Sequence, residues 1–160
     1  MSASTLTTQN FTWHIASGLA PSLRDSSQFE ELLLAARDVR RNAYAPYSNF
    51  LVGSAVLMDG NLYRGCNVEN ASYGATICAE RSAIFAGIAD GGRSIAALAL
   101  TTGPQSGTPI NQRTPCGICR QVIAEFAEAD TPILIDAGEG ASYAGEIVSL
   151  EQLLPWRFKL

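Results

Sequence analysis

The sequence predicts an α/β domain in which helices cover both faces of one mixed, five-stranded sheet. Three observations support this three-layer α/β/α class. Apolar residues recur at helical spacing after Ser26 and Ser27. Residues 51–58 and 62–68 have the pattern of two strands joined by an Asp-Gly-Asn turn, as in a hairpin. The run Ile-Ala-Ala-Leu-Ala-Leu at residues 95–100 is apolar on both faces, as expected of a central buried strand.

Capping and turn residues place the other elements in order along the chain. The first helix begins at Ser26 or Ser27, whose side chains can cap it, and ends at Pro46. The pair Gly91-Gly92 ends a second helix that starts near residue 78. A loop rich in Gly, Pro, Ser and Gln follows the central strand. We then expect a helix over residues 115–128, a strand over 132–136, a strand within 143–149 and a helical turn over 150–154.

The sequence indicates one domain with a short extension. The 160 residues fit a domain large enough to bury a core, and no internal repeat is present. Residues 1–25 are rich in Ser and Thr, with isolated apolar residues such as Trp13, and we interpret them as a flexible extension or one short helix. The single domain is expected over residues 26–160.

Charge and hydropathy disfavour two classes of protein. The net charge is -4, and the 11 Lys and Arg residues are scattered instead of forming the basic face that nucleic-acid binding requires. No apolar run approaches the roughly 20 residues of a membrane-spanning helix. The N-terminus has neither the basic start nor the apolar stretch of a signal peptide. We therefore expect a cytoplasmic protein that binds neither nucleic acid nor membrane and acts on a small substrate.

Four cysteines carry the main chemical signal: Cys66, Cys78, Cys116 and Cys119. In a reducing compartment, such a set indicates a metal site or redox chemistry instead of structural disulfides. The only histidine, His14, is far from them in the sequence. A metal site in this chain must therefore consist mainly of sulfur.

Three of these cysteines lie where two predicted helices begin. The free N–H groups of a helix N-terminus favour the thiolate that a metal requires. Cys116 and Cys119 are three residues apart and therefore share one face of the first turn. If the two helix starts converge, Cys78 completes a tetrahedral zinc site with three thiolates and one open position. An open position is typical of catalytic zinc, which lowers the pKa of bound water to about 7.

Charged residues near these cysteines suit such a site. Glu80, close to the metal without binding it, could take a proton from water and deliver it to a ring nitrogen and to a leaving amine. Three thiolates donate strongly to zinc, so we expect a nearby cation to offset their charge. Arg81 could hydrogen-bond a thiolate for this purpose, and Arg120, beside Cys119, is a second candidate.

These motifs resemble those of a known family. Cys-Ala-Glu at residues 78–80, followed by Pro-Cys-Gly-Ile-Cys at residues 115–119, is similar to the signature of zinc-dependent nucleoside deaminases. In having cysteine instead of histidine as the first ligand, the chain resembles the small cytidine deaminases of about this length. The other matching segments are residues 45–53, which resemble the family's P-Y-S-x-F-x-V-G stretch, residues 65–73, which resemble its ribose-binding G-x-N-x-E-N-A-x-Y stretch, and residues 119–121 and 151–155.

The resemblance implies a cytidine deaminase-like fold and a zinc enzyme of pyrimidine salvage that converts cytidine and deoxycytidine to uridine and deoxyuridine plus ammonia. It implies one zinc ion per chain, bound by Cys78, Cys116 and Cys119, with Glu80 as the proton shuttle. It also implies a homotetramer whose subunits share active sites. The implied substrate contacts are Phe50 against the nucleoside, Asn67 and Glu69 with the ribose hydroxyls, the Ala79 N–H with the 2-oxo group, and Tyr73 and Phe158 from neighbouring subunits.

The residues by themselves leave other interpretations open. Cys116 and Cys119 could form a thioredoxin-like redox pair, although this leaves the Cys-Ala-Glu segment unexplained. Cys66 could close a four-cysteine structural zinc site in a protein that is not an enzyme, although a small buried thiol is its more usual role. A blasticidin deaminase would share the zinc motifs, but the Asn-x-Glu-Asn stretch at residues 67–70 favours cytidine. The acidic balance disfavours a nucleic-acid deaminase.

Overall fold

Seven strands form one mixed sheet in the residues that the structure, a computed structural model, describes: 4–16, 26–103, 108–138 and 144–160. The strands are β1 (Ser4–Thr7), β2 (Thr12–Ile15), β3 (Val52–Met58), β4 (Asn61–Cys66), β5 (Ile95–Thr102), β6 (Pro132–Asp136) and β7 (Gly145–Ser149). The helices are α1 (Phe29–Arg40), α2 (Ala79–Ala89), α3 (Gly117–Phe126) and α4 (Leu150–Leu153). The order of the strands across the sheet is β1-β2-β7-β6-β5-β3-β4.

The sheet combines parallel and antiparallel pairs. Strand β3 is antiparallel to both β4 and β5, β5 and β6 are parallel, and β6 and β7 are antiparallel. The β3–β4 hairpin turns at Asp59 and Gly60, which both have positive φ, as a two-residue type I′ turn requires. These five strands match the five predicted ones, and the predicted start of the last strand, near residue 143, lies outside the described residues.

The prediction of five strands is wrong by two, and both additional strands come from the N-terminal segment. β1 and β2 form a hairpin, and β2 pairs in parallel with β7. This pairing satisfies backbone groups along the outer edge of β7. It also buries the Trp13 side chain completely in the core under α1. The segment therefore forms strands at 4–7 and 12–15, where the sequence predicts a flexible extension or a short helix. Residues 17–25 lie outside the described part of the chain. The domain boundary at residue 26 stays a prediction.

Helices lie on both faces of the sheet, which confirms the three-layer prediction. On one face α1 packs against β3, β5 and β6, with a core that includes Phe29, Leu32, Leu33, Ala55, Ala97, Leu134 and Ile147. On the other face α2 and α3 pack against the same central strands, with a core that includes Val56, Ala83, Ile84, Leu98, Leu100, Ile123 and Ile133. The beginnings of α2 and α3 therefore lie on the same side of the sheet.

Helix α1 ends at Arg40, earlier than the predicted end at Pro46. The N–H groups of Arg41, Asn42 and Ala43 close short turns onto the carbonyls of residues 38–40. Tyr44 then leaves the helix, because its N–H donates to the Asn67 carbonyl at 3.0 Å and its own carbonyl accepts from the Glu69 N–H at 2.8 Å. These bonds place residues 44–50 beside the segment that follows β4.

Close backbone contact fixes the beginning of α2 on the sheet. A Cβ atom at Gly65 would lie 2.6 Å from the Ala79 carbonyl oxygen and 2.3 Å from the Ala83 nitrogen. Any larger residue at Gly65 would thus push the first turn of α2 away from β4. The position of residues 78–80 therefore depends directly on this glycine.

Candidate active site

Three thiols converge where α2 and α3 begin. Cys78 is the N-cap residue of α2, Cys116 is the N-cap residue of α3, and Cys119 is buried in the first turn of α3. Their Sγ atoms all lie within 4.8 Å of one another. The structure thus brings together the three cysteines that the sequence predicts as ligands, in a group to which Cys66, at the end of β4, does not belong.

This donor set fits zinc. Thiolate sulfur is a preferred zinc ligand, with a Zn–S distance of about 2.3 Å, so two sulfurs of a tetrahedral site are separated by about 3.8 Å. The Sγ atoms of Cys78 and Cys116 are 3.9 Å apart. Glu80, although close in sequence, is not part of the ligand group found among the described residues. The three thiols can therefore hold a zinc ion and leave a fourth position open.

The surroundings of the thiols favour a thiolate at Cys78. A hydrogen bond from the Cys119 thiol, supported by the Arg81 guanidinium, lowers the pKa of Cys78 to about 5 against the opposing effect of burial. Arg81 Nη2 lies 3.7 Å from Cys78 Sγ and donates to the Thr76 carbonyl at 3.1 Å. The same hydrogen bond to Cys78, together with burial, raises the pKa of the Cys119 thiol. Arg81 thus contacts a thiol as the sequence predicts, while its effect on the charge of a bound zinc stays a prediction.

Arg120, the second candidate for charge compensation, lies elsewhere. Its Nε donates to the Pro115 carbonyl at 2.7 Å, Nη1 to the Leu153 carbonyl at 2.9 Å, and Nη2 to the Thr114 hydroxyl at 3.0 Å. These bonds connect the approach to α3 with the end of α4. The guanidinium of Arg120 thus supports the backbone beside Cys116 and makes no hydrogen bond to a thiol among these contacts.

Glu80 is buried in the first turn of α2, with 3% of its surface exposed. Burial and the negative charge of the Cys78 thiolate raise the pKa of its carboxyl to about 7. A carboxyl with such a pKa can both accept and donate a proton near neutral pH. The position of Glu80, beside the thiols but outside their group, is the one that the sequence predicts for a proton shuttle.

A cleft of about 280 Å³ is lined by Cys78, Cys116 and Glu80. Four of the predicted substrate contacts, Phe50, Asn67, Glu69 and Ala79, line it. Sequence reasoning missed several further lining residues, namely Ser48, Val52, Thr76, Ile77, Leu100, Thr102, Gln112 and Thr114. Thr102 and Thr114 could have been found from their positions, since one ends the central strand and the other precedes Pro115-Cys116.

Asn67 and Glu69 also hold the wall of this cleft together. The Asn67 side chain donates to the Phe50 carbonyl at 2.9 Å and accepts from the Val52 N–H at 2.8 Å. The Glu69 carboxylate accepts from the N–H groups of Tyr47 and Ser48, at 2.9 Å and 3.2 Å, and from the Ser48 hydroxyl. Both side chains therefore bind protein backbone, a role that the sequence did not reveal.

Tyr73 and Phe158 do not line the cleft of their own chain. Tyr73 is 91% exposed and borders an adjoining depression of about 400 Å³, which shares Ser48, Glu69 and Thr76 with the cleft. Phe158 is 66% exposed, and its carbonyl accepts from the Gln121 side chain at 2.9 Å. Their contribution to a neighbouring subunit stays a prediction.

Comparison with known proteins identifies similar sequences and structures. Residues 26–135 match the family model described as "Cytidine and deoxycytidylate deaminase zinc-binding region". The chain is 44% identical over 133 residues to a cytidine deaminase of Sporosarcina psychrophila, covering 81% of this chain and 90% of the relative. It is 42% identical over 130 residues to a cytidine deaminase of Halalkalibacterium halodurans, covering 79% and 91%.

A solved structure supports the same relation. The crystal structure of cytidine deaminase from Burkholderia pseudomallei matches with a TM-score of 0.70 and 42% identity, covering 81% of this chain and 98% of that one.

In the described part of the chain, no helix is long and apolar enough to span a bilayer. The cytoplasmic location stays a prediction.

Proposed function

The chain belongs to the cytidine and deoxycytidylate deaminase family, from which we infer that it hydrolyses cytidine and deoxycytidine to uridine and deoxyuridine plus ammonia, a zinc-dependent reaction of pyrimidine salvage. One observation carries this proposal: three thiols converge beside a buried carboxyl, and two of these thiols line a small cleft together with that carboxyl. Each chain uses one zinc ion. A redox pair of Cys116 and Cys119 would explain neither the third thiol nor Glu80.

Cys78, Cys116 and Cys119 would hold the zinc, which supplies a Lewis acid that activates water near neutral pH. Glu80 moves the protons: it takes one from the attacking water and delivers it to N3 of the cytosine ring, then takes a second from the new hydroxyl on C4 and delivers it to the leaving amino group. The oxygen of water ends on C4, the C4–N4 bond breaks, and ammonia leaves. Arg81 withdraws charge from the thiolates through its contact with Cys78.

The cleft walls would orient the nucleoside. Phe50 packs against it, Asn67 and Glu69 contact the ribose hydroxyls, and the Ala79 N–H meets the 2-oxo group. Their shared cleft supports these assignments, because all four residues line it together with Glu80. The position of Ala79 in the first turn of α2 adds a reason, since the N–H groups there have no partner within the helix.

Ammonia release distinguishes this function from its rivals. We expect the pure, zinc-counted protein to release ammonia from cytidine and deoxycytidine, and not from blasticidin or a single-stranded oligonucleotide. The net charge of -4 already disfavours binding of the oligonucleotide. Faster release from blasticidin or from the oligonucleotide would contradict the assignment.

The substrate is a free nucleoside, and the finer proposal is a homotetramer whose subunits share active sites. Exposed aromatic side chains support it: Tyr73 is 91% exposed, Trp156 94% and Phe158 66%. Such residues are enriched at protein interfaces. The cleft of one chain is also partly open to solvent, and binding sites usually bury most of a small ligand. A neighbouring subunit that contributes Tyr73 and Phe158 would complete it.

Subunit mixing tests the shared sites. Glu80→Ala and Phe158→Ala chains, each nearly inactive alone, are expected to recover part of the activity when subunits exchange. In the hybrids some sites combine an intact Glu80 with a neighbour's intact Phe158. Deamination of cytidine and light scattering are measured together. A monomeric protein, or no recovery after demonstrated exchange, would refute the shared sites and leave the zinc chemistry unaffected.

A further inference from the structure

The backbone before β3 makes a tight turn that brings Phe50 to the cleft. The Asn49 N–H donates to the Ala45 carbonyl at 3.0 Å, and Asn49 has a φ of 56°, in the left-handed region. Such a conformation costs free energy unless neighbouring contacts maintain it. The contacts that maintain it here come from the side chains of Ser48, Asn67 and Glu69.

Ser48 lies at the centre of these contacts. Its hydroxyl accepts from the Phe50 N–H at 3.0 Å and donates to Oε1 of Glu69. Its own N–H donates to Oε2 of Glu69 at 3.2 Å. One exposed serine side chain therefore connects Phe50 and Glu69, the packing residue and one of the two ribose partners in the proposed function.

The same bonds limit what Glu69 can still accept. A carboxylate offers about four acceptor positions. The N–H groups of Tyr47 and Ser48 occupy two on Oε2, and the Ser48 hydroxyl occupies one on Oε1. About one position therefore remains, on Oε1, for a hydroxyl of the ligand. Without the Ser48 hydroxyl, this oxygen would lose the donor that orients it.

We propose that Ser48 is a positioning residue for nucleoside binding, which orients the Glu69 carboxylate and the Phe50 backbone toward the ribose side of the cleft. This inference rests on the proposed function. Ser48 acts through Glu69, while Asn67 fixes the same segment from the other side through Phe50 and Val52. The effect of Ser48 therefore concerns binding of the sugar and not the proton transfers at Glu80.

A Ser48→Ala variant tests this role through the split between KM and kcat. Loss of hydrogen bonds to a charged group is expected to raise the KM for cytidine about 10-fold, while kcat changes less than about 3-fold. Ser48→Thr keeps the hydroxyl at an exposed position and should restore most of the binding. Ser94→Ala, an exposed serine before β5, is the matched control with unchanged kinetics.

A double-mutant cycle with Glu69→Gln shows whether the effect passes through Glu69. If it does, adding Ser48→Ala to Glu69→Gln should raise KM by less than about 3-fold. An equal KM increase in both backgrounds, an unchanged KM in Ser48→Ala, or loss of zinc or of folding in that variant would each overturn the proposal. Absence of cytidine turnover in the zinc-loaded wild-type protein would instead refute the proposed function.

Discussion

Replacement of Glu80 by alanine is expected to leave one zinc ion per chain and to lower kcat for cytidine by a factor of about 10²–10⁴ or more. The thiols that would bind zinc are separate from this carboxyl, so the metal should remain. The rate should fall steeply because one residue serves several proton transfers. Metal analysis and steady-state kinetics on the same preparation measure both effects.

Two further variants separate chemistry from folding. Glu80→Gln keeps the volume of this buried side chain but removes its acid–base function, so the same loss of turnover is expected. Glu31→Ala removes an exposed glutamate from the first turn of α1 and should change neither zinc content nor rate. Zinc loss in Glu80→Gln, or substantial remaining turnover, would contradict the role of Glu80 as proton shuttle.

Serine at position 78, 116 or 119 is expected to deplete the zinc and abolish deamination. A serine hydroxyl does not ionise near neutral pH, so each change removes one of three anionic ligands. Cys66→Ser is the matched control and should keep both the metal and most of the activity, because Cys66 does not belong to the thiol group. The zinc content of each variant after dialysis shows which of the four cysteines the metal requires.

The outcome for Cys66 also separates two kinds of site. Zinc loss from Cys66→Ser would indicate a closed four-cysteine structural site without an open position for water. That result would contradict the proposed enzyme. Retention of zinc in this variant, together with depletion in the other three, is what an open three-thiolate site requires.

The chemistry of the site was more predictable from the sequence than some of its supporting contacts. The helix starts at Cys78 and Cys116 follow from local patterns. The three-residue spacing of Cys116 and Cys119 places these two cysteines on one face of their helix. The convergence of α2 and α3 depends on the order of strands in the sheet, which local patterns do not determine. The family resemblance was needed to expect it.

Long-range contacts explain what the sequence did not reveal. β2 has only four residues, and its one fully buried side chain, Trp13, gives too short an alternation to predict a strand. The bonds between Ser48 and Glu69 join residues 21 apart. They form because Tyr44 pairs with the segment after β4. The periodicity of apolar residues in the sequence does not reveal this pairing. Asn67 was expected to bind ribose, and its backbone contacts emerge only in the folded chain.

Ammonia release from cytidine, followed while zinc is added back to metal-free protein, tests the central claim most directly. If Cys78, Cys116 and Cys119 hold the catalytic zinc, the rate of deamination should rise in proportion to bound zinc and level off at one ion per chain. One uridine should form for each ammonia. Turnover by the metal-free protein, or no ammonia from cytidine at one zinc per chain, would contradict it.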